Sequence, residues 1–161
     1  MGFLHMSPGS VPVKGPAPMI AAGMILLAGL LVSCQAAPGE EGLLRYARAS
    51  AVYSEGRFSE AAGMLKDLRS FPPALVLRGK AEYFSGDDGS AEKSFRRALA
   101  LRPAAAEASI YLARLLRDRG REGEAETLVE SVIADDPSDL RALRLAADIS
   151  RAKGPAGEAA A

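Results

Sequence analysis

The chain has 161 residues, of which 48% are hydrophobic and 25% charged, so it is long enough for one domain and too apolar for the class of intrinsically disordered proteins. Its 20 basic and 20 acidic residues cancel, which excludes the strong positive net charge that steers proteins to nucleic acid or to an acidic membrane surface. Aromatic residues make up only 6% and tryptophan is absent, a composition that favours Ala- and Leu-rich helices over a β-sandwich.

The segment 1–33 has the layout of a secretory signal peptide. Lys14 is the only formally charged residue of positions 1–18, and positions 19–32, which follow it, are entirely apolar. A helix that crosses the hydrocarbon core of a membrane needs about 20 apolar residues, more than this segment provides. We therefore predict a cleaved signal peptide at positions 1–33 rather than a single-span anchor, which is the alternative.

The only cysteine, Cys34, stands directly after this segment, in the sequence Leu31-Val32-Ser33-Cys34. This sequence resembles the bacterial lipobox. The resemblance implies that the Cys34 thiol receives a diacylglycerol and that the new amino terminus is acylated, for example with palmitate. Two or three acyl chains hold a domain stably on a bilayer, whereas a single chain binds only marginally. Residues 34–42 would then form the lipidated amino terminus and a short tether. An inert apolar cysteine and a free thiol are the alternatives.

Cleavage would also remove His5, the only histidine in the sequence. Without histidine, and with Cys34 blocked by lipid, Ser-His-Asp sites, Cys-His sites and the usual Cys/His zinc sites cannot be built. Catalysis by two carboxylates stays possible in principle, but most acidic residues here stand at helical spacing from basic ones, which is typical of solvated helix faces. We therefore predict no enzymatic activity, no catalytic residue, no metal site and no cofactor other than the covalent lipid on Cys34.

From Leu43 to Gly154 the sequence is repetitive. Four glycines end helical-looking segments; the last two intervals between them are equal and the first is shorter, and an alanine stands five positions after each glycine. The pattern is clearest from Gly86 to Pro103, and it resembles the tetratricopeptide repeat (TPR), a pair of antiparallel helices of about 34 residues. The glycines are Gly56, Gly86, Gly120 and Gly154, and the alanines are Ala61, Ala91, Ala125 and Ala159.

The resemblance implies an all-α, right-handed TPR solenoid of about three and a half helix pairs, seven helices in all, over residues 43–154. Small residues at Ala49, Gly79, Ala113 and Ala147 would let paired helices approach closely. The glycines would take the positive φ that ends many helices. Residues 155–161 are expected to be a disordered tail.

Three local departures from the pattern give further expectations. The shorter first interval removes about one helical turn, so the second helix of unit one should be short, from Phe58 to about Arg69. Arg78 and Glu82 stand where the family prefers large apolar residues, which predicts a rotated or partly open helix. The last helix, residues 139–153, is expected to cap the solenoid. Its predicted packing residues are Leu140, Leu143, Ala147 and Ile149.

The first helices of successive units line a surface that, in this family, commonly binds a peptide or helix of a partner. Projecting that surface onto the chain gives an aromatic N-terminal half and an Arg-rich C-terminal half, suited to a partner with apolar and acidic groups. The alternative is that the tyrosines only pack on adjoining helices while the arginines pair with Asp118 and Asp148. The predicted groove residues are Tyr46, Tyr53, Lys80, Tyr83, Arg114, Arg117 and Arg144, and the projection also includes Ser50, Val76, Phe84, Ile110 and Arg151.

These features together predict a membrane-anchored scaffold or adaptor of the bacterial cell envelope, with other envelope proteins or peptides as partners and neither nucleic acid nor a small-molecule substrate. Similar lipid-anchored TPR proteins assist type IV pilus assembly, outer-membrane β-barrel assembly and cell-wall synthesis. Gln35, in place of the Asp that retains lipoproteins at the inner membrane, favours the periplasmic face of the outer membrane over the outer face of the cytoplasmic membrane. The alternative function is an accessory subunit of an envelope transport or enzyme complex, in which the solenoid would serve as a surface for homo-oligomer formation.

Overall fold

The computed structural model describes residues 38–154, which form seven α-helices and no strand. The predicted signal peptide, Cys34 and the predicted tail 155–161 lie outside the described residues. No helix within 38–154 combines the length and the apolar character that crossing a membrane requires. In chain order the helices are α1 Glu40–Ser54, α2 Phe58–Met64, α3 Pro72–Phe84, α4 Asp88–Leu101, α5 Ala106–Asp118, α6 Glu122–Asp135 and α7 Leu140–Lys153.

The helices pack in the order in which the chain forms them. Each helix contacts the next one, and the first helices of the units, α1, α3, α5 and α7, also contact one another in succession. Within the described residues no other pair of helices is in contact to a comparable extent. This is the arrangement of a solenoid of three helix pairs and one further helix, so the predicted all-α architecture is confirmed. The first helix begins at Glu40, three residues before the expected start at Leu43.

The turn glycines adopt the predicted left-handed conformation. In the turn after α3, the N–H of Gly86 donates to the carbonyl of Tyr83 at 3.1 Å, and the N–H of Asp87 donates to the carbonyl of Glu82 at 2.9 Å. This pair of hydrogen bonds satisfies the last carbonyls of the helix and requires a positive φ at the glycine. The φ angles are 79° at Gly56, 83° at Gly86, 71° at Gly120 and 58° at Gly154.

Small residues hold paired helices close together at three of the four predicted positions, whereas the fourth, Ala147, is exposed. Ala49 and Ala113 are fully buried. Gly79 gives the closest approach, because a Cβ added there would lie only 2.6 Å from Cε1 of Phe95 in α4. The alanines that follow the first three turn glycines, Ala61, Ala91 and Ala125, are also fully buried.

The second helix of unit one is shorter than the sequence indicated. It ends at Met64, five residues before the expected end at Arg69. The next residues form tight turns, in which the N–H groups of Leu65 and Leu68 donate to carbonyls three residues earlier. Leu65, directly after the helix, is only 1% exposed, so its burial holds this irregular segment in place. The next helix, α3, then begins at Pro72. Proline also keeps the preceding residue extended, which prevents one continuous helix.

The expected opening of the helix around Arg78 and Glu82 is wrong. Glu82 is only 5% exposed, and the helix packs closely on α4. Its Oε1 accepts a hydrogen bond from Nε of Arg78 at 2.7 Å, and its Oε2 accepts one from Oγ of Ser94 at 2.5 Å. A buried carboxylate with both oxygens satisfied can replace the apolar residue that the family prefers.

The predicted packing face of the last helix is also mostly wrong. Of the four predicted residues only Ile149 is buried, whereas Leu140 is 65% exposed and Leu143 is 40% exposed. The helix instead packs on α5 and α6 through the side that carries Ala142, Leu145 and Ile149. The repeat pattern predicted that the last helix packs through the side on which the second helix of its unit would lie. The described residues contain no such second helix.

Candidate partner-binding groove

A depression with a volume of about 510 Å³ lies between α1, α3 and the start of α5. The first helices contribute Tyr46, Tyr53 and Lys80, and the connection before α5 closes the other side with residues 104–106. Both tyrosines also pack on neighbouring rings. Tyr46 meets Phe71 edge to face at 5.5 Å between ring centroids. The depression therefore has an aromatic wall that packing against the core holds rigid.

Lys80 is held inside this depression by three partners. Its Nζ donates to Oε1 of Glu107 at 2.8 Å, and it lies 5.3 Å from the ring centroids of both Tyr53 and Tyr111. Burial by itself would lower the pKa of the Lys80 ammonium, but the hydrogen bond and negative charge of Glu107 outweigh it and raise the pKa above its ordinary value. Lys80 is therefore a charged but internally neutralised part of the wall.

Tyr111 packs against the core and supports Lys80 of the first depression and Arg114 of α5, a role that the repeat pattern did not predict. Its ring stacks on Phe95 at 5.9 Å and lies 6.2 Å from the rings of Tyr83 and Phe84. The repeat period aligns Tyr111 with Leu77, a buried core position, so the pattern indicated packing but not the contacts with Lys80 and Arg114. As the only aromatic residue in α5 it was nevertheless a visible signal.

A second depression, of about 410 Å³, lies between α3, α5 and α7. Four arginines line it together with Tyr83 and Asp148. These three helices are the first helices of successive units, so residues at equivalent positions of the repeat lie on the same surface. The arginines are Arg114, Arg117, Arg141 and Arg144.

Two of these arginines are engaged by carboxylates of the chain. A terminal nitrogen of Arg117 lies 2.8 Å from Asp118, and the other lies 3.8 Å from Asp148. Arg141 is paired with Asp139 at 2.7 Å. Tyr83 donates its hydroxyl to Asp118 at 3.1 Å, and burial, followed by the charge of Asp118, raises the pKa of this tyrosine.

The other two arginines have no such pairing within residues 38–154. The guanidinium of Arg114 lies 5.3 Å from the ring centroid of Tyr111, and neither Arg114 nor Arg144 forms an ion pair with a carboxylate of the described chain. A guanidinium that is not paired with a carboxylate of its own chain can bind a partner's carboxylate through two parallel hydrogen bonds. The positive charge that this surface can offer a ligand is therefore concentrated on Arg114 and Arg144.

Residues 85–149 match the family model for the tetratricopeptide repeat. Solved structures with this architecture are similar over most of the described residues. The first TPR of Spaghetti (RPAP3), bound to the HSP90 peptide SRMEEVD, has a TM-score of 0.68 at 18% identity over 71% of this chain and 94% of its own. The fold is a TPR solenoid. None of the curated proteins is significantly similar to the chain in sequence.

Two further TPR structures show the same degree of likeness. The second TPR domain of human RPAP3, in complex with the HSP70 peptide SGPTIEEVD, has a TM-score of 0.66 at 18% identity over 71% of this chain and 98% of its own. The type III secretion chaperone SycD of Yersinia enterocolitica, in complex with a peptide of YopD, has a TM-score of 0.65 at 15% identity over 72% of this chain and 97% of its own. At these identities the likeness shows the TPR fold alone.

In the TPR solenoid the predicted groove residues fall into the two depressions. Tyr46, Tyr53 and Lys80 line the first, and the second holds the remaining predicted residues. Three residues of the wider projection lie elsewhere: Ile110 is 2% exposed in the core, Phe84 lies among the aromatic rings, and Arg151 is paired with Asp148 at 3.1 Å. The residues of the second depression are Tyr83, Arg114, Arg117 and Arg144. We call the two depressions together the groove.

Both sequence-based interpretations of these residues describe part of the TPR surface. The tyrosines do pack on adjoining rings, and Arg117 does pair with Asp118 and Asp148, but the same side chains also line the depressions. That they bind a partner stays a prediction. No group of three or more His, Cys, Asp or Glu side chains in the described part of the chain is placed to hold a metal ion.

Proposed function

We propose that this protein is a membrane-anchored scaffold of the bacterial cell envelope that binds a segment of a partner protein in the groove. The observation that carries this proposal is the pairing of an aromatic depression with an arginine-lined depression on consecutive first helices. The peptides of HSP90, HSP70 and YopD in complexes of the same fold support a peptide as the occupant.

The chemistry of the two depressions defines the segment that would fit. Apolar side chains of the partner would lie against Tyr46 and Tyr53, where removal of apolar area from water favours binding. Acidic side chains would lie at the other end, where Arg114 and Arg144 have no carboxylate partner within the described residues. The partner is thus a protein segment with an apolar part followed by an acidic part, rather than a nucleic acid or a small molecule.

The membrane anchor in this proposal is the lipid on Cys34. Residues 1–33 would be removed as a signal peptide, and the diacylglycerol and an acyl group such as palmitate would hold the solenoid on the bilayer. Gln35 favours the periplasmic face of the outer membrane. The protein would act by positioning its partner there and not by catalysis, with no cofactor besides the lipid.

Capture of the partner by the intact protein tests the groove. The full-length chain would be crosslinked to its neighbours in its own membranes, purified, and compared with the double variant Arg114→Glu/Arg144→Glu. The matched control is Arg48→Glu/Arg97→Glu, two exposed arginines that lie outside the groove. We expect the groove variant to lose its partner at least about tenfold and the control to keep it. Equal capture by all three folded proteins would rule out the groove.

The anchor is tested separately. We expect Cys34→Ser to move the protein from the membrane fraction to the soluble fraction while its helical circular dichroism is unchanged. A Cys34→Ser protein that stays bound to the membrane would contradict the lipid anchor and leave the groove untouched.

A further inference from the structure

The outward side of α7 carries an apolar face that no described residue covers. Leu140 is 65% exposed, Leu143 is 40% exposed, and Ala147 and Ser150 are exposed as well. Spacings of three and four residues put these four on one side of the helix. We call Leu140, Leu143, Ala147 and Ser150 the terminal face.

The repeat shows what kind of element such a face receives. Ala147 stands one repeat after Ala113 and two repeats after Gly79 in the sequence. Ala113 is fully buried in α5, and the α-carbon of Gly79 lies against Phe95 of the following helix. In both earlier units the small residue is therefore the point where a second helix crosses the first.

The neighbouring position follows the same rule. Leu143 aligns with Ser109 and Leu75, which are only 4% and 3% exposed in their units. The exposed leucine thus occupies a position that the architecture buries wherever a second helix is present. The terminal face is a receiving surface for a helix, with a small residue at its centre and leucines beside it.

The charges beside the terminal face favour one class of helix. Arg144 stands four residues after Leu140 and has no carboxylate partner within residues 38–154. Arg151 stands four residues after Ala147 but is paired with Asp148 at 3.1 Å, so Arg144 is the bordering arginine with charge to offer a ligand. Within the chain, the second helix that packs on the equivalent first helix α5 is α6, which has five carboxylates and no basic residue. The second helix on α3, α4, carries Lys93, Arg96 and Arg97, so the preference for an acidic helix follows from the charge of α7 and not from the repeat. We propose that the terminal face binds an acidic amphipathic helix of a partner protein, seated as α6 is seated on α5.

Two other occupants fit this surface less well. A second copy of the chain would place Arg144 and Arg151 beside the same arginines of its partner, and like charges at an interface are unfavourable. Residues 155–161 contain only proline, alanine, glycine and one glutamate, so they have no large apolar side chain with which to bury Leu140 and Leu143.

The α6 segment itself supplies a probe of the required chemistry. A fluorescently labelled peptide of residues 121–137 would be titrated with the full-length chain in detergent solution and followed by anisotropy. We expect saturable binding that weakens at least about tenfold in Leu143→Glu and in Ala147→Glu, since each places a carboxylate in the contact. Leu43→Glu, at a similarly exposed leucine of α1, is the matched control and should bind as the unchanged protein does.

Each other outcome would overturn the proposal. The proposal fails if the peptide shows no saturable binding up to about 1 mM. It also fails if Leu43→Glu weakens binding as much as Leu143→Glu does, or if a peptide with the same composition in a reordered sequence binds as tightly as residues 121–137. Binding that appears only after deletion of residues 155–161 would show that the chain covers the face itself. A molecular mass that doubles in light scattering and returns to one copy in Leu143→Glu would assign the face to a second copy. Circular dichroism of each variant confirms that it is folded.

Discussion

The ring of Phe95 lies directly against the α-carbon of Gly79, and a Cβ at that position would be 2.6 Å from Cε1 and 2.7 Å from Cδ1 of the ring. Phe95 is fully buried, so the ring has no room to move away. The crossing of α3 and α4 therefore depends on the absence of a side chain at Gly79.

We expect Gly79→Ala to lower the free energy of unfolding by about 1–3 kcal/mol, the usual cost of overpacking a core, although alanine is the better helix former. Urea unfolding followed by circular dichroism measures this. Gly63→Ala in α2 is the control, because a Cβ there meets nothing within 4 Å and should stabilise the protein slightly. If the clash with the ring is the cause, the double variant Gly79→Ala/Phe95→Leu should lose less unfolding free energy than the sum of the losses in the two single variants.

Ser94→Ala tests the buried carboxylate of Glu82. The substitution removes the hydroxyl that donates to Oε2, and an unsatisfied buried acceptor costs about 1–3 kcal/mol. We expect the double variant Glu82→Leu/Ser94→Ala to regain most of that stability, because it removes the carboxylate as well and restores the apolar residue that the family prefers. Equilibrium unfolding of both variants measures the coupling. Strictly additive losses would contradict it.

Gly120→Ala tests the turn between α5 and α6. At a φ of 71° a Cβ costs about 1–2 kcal/mol, so we expect a loss of that size in the free energy of unfolding. Gly123→Ala, three residues later in α6, is the control, because its position has no positive φ and open space for a Cβ. Similar unfolding midpoints for the two variants would show that the turn conformation does not limit stability.

Asp139 predicts a dependence of stability on pH. It caps α7 by accepting from the N–H groups of Arg141 and Ala142. The Arg141 side chain also donates to Asp139, and this hydrogen bond lowers the pKa of Asp139 to about 2. Burial acts in the opposite direction but is smaller, and the two backbone N–H groups lower the pKa further. The stability that ionised Asp139 contributes is therefore present above about pH 4, the unfolded pKa, and is lost as the pH falls towards 2.

The matched variant is Asp139→Asn, which can still accept the capping hydrogen bonds but cannot ionise. We expect the unchanged protein to be the more stable of the two at pH 5 and the difference to shrink by pH 2, as measured by urea unfolding at pH 5, 3 and 2. A difference that stays constant over this range would show that the charge of Asp139 does not contribute.

Lys80 provides a test of which cations bind the partner. Because Glu107 already neutralises its ammonium, we expect Lys80→Met/Glu107→Gln, which leaves the net charge unchanged, to reduce partner capture by less than about twofold. The comparison is the same crosslinking capture with Arg114→Glu/Arg144→Glu. A loss as large as that of the arginine variant would assign the acidic part of the partner to Lys80 instead.

The parts of the fold that could be predicted are those that depend on residues close together in the chain. The glycine turns were predicted because a positive φ selects glycine whatever surrounds it, and Gly86 and Gly120 adopt that conformation. The small residues Ala49 and Ala113 were predicted because the repeat period reproduces one helix crossing in each unit. The end of α2 was misplaced because it depends on the burial of Leu65 in an irregular segment.

The sequence by itself thus determined the all-α solenoid, the seven helices of residues 38–154 and seven of the residues that line the groove, but it did not predict Arg141. Only the tertiary structure decided which of those side chains have charge to offer, since the pairing of Lys80 with Glu107 and of Arg117 with Asp118 depends on neighbours in other helices or on side-chain orientation. It also decided that Glu82 is buried and that Leu143 is exposed. Local conformational preference fixes the helix ends at the glycine turns, whereas burial and ion pairing depend on which other helices lie alongside. The repeat pattern assumes neighbours that the last helix does not have within residues 38–154.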